Sequence, residues 1–125
     1  MSKFSVEFYK NEKGEKPAKE FILSQNAKMK AKLFATIDLL EEYGNELKMP
    51  HSKPIGDGIF EIRAKIGSDI TRVLYFFYYE GRIIMTNGFA KKTQKTPQEQ
   101  IEKAKRYRQM FLERENQKWV NLESY

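Results

Sequence analysis

Four short runs along the chain read as strands, and two longer ones repeat their apolar residues at helical spacing. FSVEFY (Phe4 to Tyr9) alternates, with Phe4, Val6 and Phe8 on one face, and predicts a strand. NEKGEKP (Asn11 to Pro17) is a loop, and Pro17 suits the first turn of a helix over roughly Ala18 to Ser24. NAKMKAKLFATIDLLEEYG (Asn26 to Gly44) is the clearest helix. Asn26 can cap its start. Ala27, Ala31, Phe34, Ile37, Leu40 and Tyr43 form an apolar stripe. Gly44 sits where a left-handed residue ends a helix. The two helices are expected to form a hairpin.

NELKMPHSKPIGDG (Asn45 to Gly58) reads as a loop, broken by Pro50 and Pro54. Three strands follow: Ile59 to Ile66, Ile70 to Tyr79 and Arg82 to Ala90. The links GSD and EG are tight hairpin signals. The last helix opens at TPQE, with Thr96 as N-cap, Pro97 as first helical residue and Glu99 completing a capping box. Ile101, Ala104, Arg108 and Phe111 share one of its faces, and it should run to about Glu115. Residues 116–125 are a tail whose role the pattern does not give, although Trp119 suggests that it docks. The order is β-α-α-β-β-β-α, an α+β domain spanning 1–125. An antiparallel sheet packs against the helical hairpin and the C-terminal helix, with the helices expected on one face.

Composition adds charge to this picture. The chain has 125 residues, 40% hydrophobic and 14% aromatic, enough for one modest core despite 32% charged residues. Its net charge is +6, which points to an acidic partner such as nucleic acid. From Phe60 to Lys95 there are seven cations (Arg63, Lys65, Arg72, Arg82, Lys91, Lys92, Lys95) against three acids (Glu61, Asp69, Glu80). Strand register decides whether they meet. With Ser68-Asp69 as a two-residue loop, Lys65 lies opposite Arg72. With Glu80-Gly81 as the next loop, Arg72 lies opposite Phe89. Glu61, Arg63, Lys65, Arg72 and Phe89 then share one face, with Lys91 following, while Phe60, Ile62, Ala64 and Ile66 face the core. A one-residue slip would scatter the cluster. Cations beside an aromatic suit a polyanion with stackable bases; the competing reading is a solvated face of Glu–Arg pairs.

The familiar catalytic motifs are missing. Without cysteine there is no disulfide, thiol nucleophile or thiolate metal site. The lone His51, in MPHSKP, reads as structural or merely exposed, and GDG (Gly56 to Gly58) as a turn. Asp38, Glu41 and Glu42 read as a solvated helix face. No metal or other cofactor is expected. The start lacks an apolar signal core and no window is long and apolar enough for a membrane helix, so a cytoplasmic location without membrane contact is expected. One reaction remains open to an Arg/Lys site. RNA carries its own nucleophile, the 2′-hydroxyl. Arginine can clamp the phosphate, and lysine can move protons where neighbouring cations depress its pKa.

GIFEIR, RVLY, GFAKKTQKTP and AKRYR occur here in an order that resembles the HigB-type, phage-derived branch of the RelE/ParE toxin superfamily, over roughly residues 50 to 112. The resemblance implies a type II toxin that cleaves mRNA on the ribosome and blocks translation. It implies a HigA-like helix-turn-helix antitoxin as partner, with operator DNA bound only through the toxin–antitoxin complex. By the same resemblance Arg63, Arg72 and Lys91 are the catalytic candidates. Lys65, Phe89, Lys92 and Lys95 are the RNA-binding candidates. The C-terminal Tyr or His of many relatives has no match; Tyr107 reads as packing, so the general acid is unassigned. A ParE-like gyrase poison and a non-enzymatic nucleic-acid-binding module are the alternatives.

Overall fold

The structure is a computed structural model that describes residues 3–90 and 95–123. β1 (Ser5–Phe8) leads into α1 (Pro17–Leu23) and α2 (Ala27–Tyr43). Four strands follow: β2 (Ser52–Gly56), β3 (Ile59–Ile66), β4 (Asp69–Tyr78) and β5 (Arg82–Ala90). α3 (Gln98–Glu123) ends the described chain. The sheet order is β1-β5-β4-β3-β2. All neighbours are antiparallel except β1, which runs parallel to β5. This is the α+β, RelE-like topology expected from the sequence, with additions and corrections.

The missed strand is β2. Pro50 and Pro54 suggested a loop, but Pro54 lies in an edge strand, where a missing amide costs no ladder bond. GDG makes the β2–β3 turn, with Asp57 and Gly58 both at positive φ. The other edge, β1, is tied to α2: Val6 N donates to Glu41 Oε2 at 2.8 Å and Phe4 N to the Glu41 carbonyl at 3.1 Å. Glu41 is therefore a strand anchor and not part of a solvated face.

The helices do not share one face. α1 and α2 cover one side of the sheet over Ile62, Ala64, Val73, Tyr75, Ile83 and Met85. α3 covers the other over Ile59, Leu74, Phe76, Ile84 and Phe89, through Ala104 and Phe111. Asn26 caps α2 as expected, accepting from Met29 N at 2.9 Å. The buried stripe of α2 is Met29, Leu33, Thr36, Ile37 and Leu40; Ala27, Ala31, Phe34 and Tyr43 are exposed. Small and aromatic residues drew the predicted stripe off the true one, because Met29, Leu33 and Thr36 carry the packing volume. α3 continues through the expected tail to Glu123, and Trp119 is 62% exposed, so it does not dock on the described chain. Among the described residues no helix is long and apolar enough to cross a membrane.

Two hairpins set the register that matters later. The β3–β4 loop is Gly67-Ser68, with Ile66 paired to Asp69 and Arg63 to Arg72. The expected pairing of Lys65 with Arg72 is thus off by two residues, an even step that keeps every side chain on its face. The β4–β5 link is a three-residue turn, Tyr79–Gly81, which moves the pairing by one and places Tyr78 opposite Arg82. A bulge at Thr86 restores it: Tyr75 pairs with Met85 but Leu74 with Asn87, and Arg72 lies opposite Phe89. The expected Arg72–Phe89 pair is found because the turn and the bulge cancel.

At Gly88, β5 runs close beneath α1. A Cβ there would lie 2.3 Å from Cδ2 of the Phe21 ring. Gly88→Ala is expected to destabilise the fold by about 1–3 kcal/mol, the usual cost of overpacking, measured by urea unfolding. A midpoint equal to that of the parent would show that α1 is free to shift on the sheet.

Candidate functional site

Two rows of side chains cross the sheet beneath the start of α3. Directly opposed residues share a face, and the Arg63 amide donates to the His51 carbonyl at 2.9 Å. One row therefore runs from His51, just before β2, through Arg63 and Arg72 to Phe89 on β5. The adjacent row runs Lys53, Glu61, Leu74, Asn87. Both lie on the face that α3 covers.

The rows meet at Glu61, whose carboxylate is fully buried. Arg63 Nε lies 3.2 Å and Arg72 Nε 3.4 Å from Glu61 Oε2. The Arg72 side chain is as buried as Glu61, and that of Arg63 is 10% exposed. Thr96 closes the cluster from the start of α3, donating its hydroxyl to Glu61 Oε1. Asn87 holds the next turn, donating from Nδ2 to the Gln100 carbonyl at 3.2 Å and to Gln100 Oε1 at 3.0 Å. The Arg72 guanidinium stands 5.8 Å from the centroid of the Phe89 ring, within cation–π range.

Electrostatics give this cluster its character. Among the described ion pairs, one carboxylate serves two guanidiniums. Burying charge is costly unless it is paired and hydrogen-bonded. Burial pushes the Arg72 pKa below its ordinary value, and the neighbouring Arg63 pushes the same way, while Glu61 opposes both. Arginine stays protonated through such a shift at any physiological pH. The arrangement is therefore a fixed cationic site, rigid because its pieces are packed, and suited to an oxyanion that brings negative charge.

The expected face is present, but it is not solvated: α3 roofs it. Arg63, Arg72 and Phe89 come together as expected. Lys65 is exposed and opposite Ile70, beyond the buried cluster on the same face. Lys95 lines a shallow cleft of about 310 Å³ with Lys53, Thr96 and Ile101. Lys91 and Lys92 lie outside the described residues. Arg82, counted with the basic cluster, belongs elsewhere. It is clamped at the far end of β5 by Glu7, with Nη2 to Oε1 at 2.9 Å, and by Glu115 at 3.6 Å. Tyr107 packs, as expected, stacked on Tyr9 at 4.8 Å.

Three contributions escaped the sequence reading. Thr96 was read as a helix cap; its hydroxyl instead reaches Glu61, and α3 starts at Gln98. Lys53 and His51 were assigned to a loop because β2 was missed. The alternation in SKPIG, with Lys53 and Ile55 facing one way, was the available signal. Among the described residues, no group of His, Cys, Asp or Glu side chains could hold a metal ion.

Residues 20–109 match the model of a protein family described as Phage derived protein Gp49-like (DUF891). The matched span takes in the second half of α1, α2, β2 to β5 and the first half of α3, and so contains every side chain of the cluster. A comparison with curated proteins found no match.

Glu61→Gln removes the one negative charge that both arginines share. It is expected to cost about 3–5 kcal/mol, as for a buried pair left without one partner. Inorganic phosphate should recover part of that loss by binding the folded state. Urea unfolding with and without phosphate reads both. An unchanged midpoint would show that the arginines do not need the carboxylate.

Proposed function

The chain belongs to the Gp49-like family of phage-derived proteins, and from that premise we propose that it is a HigB-type toxin, a metal-independent endoribonuclease that cuts mRNA on the ribosome. The observation that carries this reading is the pair Arg63 and Arg72 held on one buried carboxylate, 3.2 and 3.4 Å away, beside an aromatic ring. Arg63, at the rim of the cluster, can hold the scissile phosphate, and Arg72, buried behind it, adds fixed positive charge that offsets what builds on the phosphate oxygens.

In this reading the RNA supplies the nucleophile. The 2′-oxygen attacks phosphorus, the bond to the 5′-oxygen breaks, and the products are a 2′,3′-cyclic phosphate and a 5′-hydroxyl. One proton leaves the 2′-hydroxyl and one reaches the 5′-oxygen. Lys91 is the catalytic lysine implied by the resemblance. Lys65, Lys92 and Lys95 track the backbone, and Phe89 lends an apolar edge. The chain has few groups for aligning a flexible strand, so the ribosome does the aligning. A HigA-like helix-turn-helix antitoxin neutralises the toxin by covering the basic face or lifting α3, and operator DNA is bound only through that complex. The protein works in the cytoplasm, where translating ribosomes are.

Primer extension on an mRNA translated in a purified system tests the proposal, with Arg63→Lys as the variant. Lysine keeps the charge but loses the planar fork. Cuts are expected only when ribosomes are present, with rates about 10²–10³ lower in the variant, the usual loss for one stabilising donor. Intact mRNA in cells whose growth the protein stops would overturn the reading and favour a gyrase poison.

A further inference from the structure

Beyond the arginine pair, a second cationic recess opens at the sheet edge. Lys32 of α2, His51 before β2, and Arg63 and Lys65 of β3 line it, with Met49, Pro50 and Ile70 as its apolar walls. Its volume is about 170 Å³, below the roughly 300–1,000 Å³ of pockets that enclose whole small molecules. It is sized for a group, not for a ligand. Three of its seven lining residues are cations, and no carboxylate lines it.

The recess has a built geometry. Lys32 Nζ donates to the Lys65 carbonyl at 2.5 Å, which fixes the ammonium over the end of β3. The Arg63 amide bond to the His51 carbonyl holds the imidazole-bearing segment alongside. His51 is exposed and offers a ring nitrogen that can donate to a phosphate oxygen or a face on which a base can stack. Arg63 joins the two sites. Its Nε faces buried Glu61, and its side chain also lines the recess. A phosphate held at Arg63 thus has a second set of cations, Lys32 and Lys65, beside it at the sheet edge.

We propose that the recess formed by Lys32, His51, Arg63 and Lys65 binds the phosphodiester of a nucleotide flanking the one that is cut. It gives the RNA strand a direction, from the cleft of Lys53 and Lys95 past Arg63 to the edge at α2. Lys32, on the helical hairpin far from the other candidates in sequence, becomes an RNA contact. The inference rests on the RNA-cleaving reading, but its test does not.

The experiment uses a short RNA with 2′-O-methyl groups throughout, which cannot be cut, and follows its binding by fluorescence anisotropy over a series of salt concentrations. Each neutralised phosphate of a single strand contributes about 0.7 to the slope of log affinity against log salt. Lys32→Gln keeps a donor for the Lys65 carbonyl and loses the charge. It is expected to lower the slope by about 0.7, and Lys32→Gln with Lys65→Gln by about 1.4. Lys118→Ala, at the opposite end of the molecule beside Trp119, should leave the slope as it is. Unchanged slopes in the Lys32 variants, or an equal drop in Lys118→Ala, would overturn the proposal. Normal slopes in a wild-type protein that leaves translated mRNA intact would sink the endonuclease and leave the recess standing.

Discussion

A single buried carboxylate organises this molecule. Glu61 lies between Arg63 and Arg72 with its second oxygen taken by Thr96. Charges placed there are tolerable only if they are packed and paired together. That requirement explains why α3 must sit on this face of the sheet and the helical hairpin on the other. It also explains why Thr96, just ahead of α3, lies against the sheet. Asn87 repeats the device one turn later, binding Gln100 twice. The roof over the arginines is thereby stitched to the strands that carry them.

Much of this was legible in the sequence, for reasons that can be named. β3 and β5 have the predicted bounds because apolar alternation and tight Gly-containing turns mark their ends. The face shared by Glu61, Arg63, Arg72 and Phe89 was legible too, since side-chain direction depends only on parity. The β3–β4 pairing was off by an even step. In β4–β5 a three-residue turn and the bulge at Thr86 offset each other. What the sequence hid was tertiary. Pro54 disguised an edge strand, and with it the places of His51 and Lys53. The Thr96-Pro97 signal has the form of a helix cap, yet the hydroxyl is claimed by a carboxylate 35 residues away. Local pattern cannot register such a competitor. Nor could it show that Arg82 is spoken for by Glu7 and Glu115.

The cluster gives the motifs of this chain a physical meaning. GIFEIR places a glutamate and an arginine two residues apart, hence on one face of β3; RVLY places the second arginine directly across from the first. In the proposed reading such a site works without a strong base, because the charge stabilisation is fixed in the fold and the nucleophile comes with the substrate. Its weakness is alignment of a flexible strand, which a ribosome would supply.

The central claim, that this fold supplies only charge and position while the RNA supplies the attacking oxygen, has a direct measurement. An mRNA carrying a single 2′-deoxy substitution on the 5′ side of the cut position is translated in a purified system with the protein, and the fragments and their end groups are analysed. The account predicts that cutting at that position disappears while neighbouring sites are still cut, leaving 2′,3′-cyclic phosphate and 5′-hydroxyl ends. Continued cutting at the deoxy position, with 5′-phosphate ends, would mean that water attacks and would contradict the account.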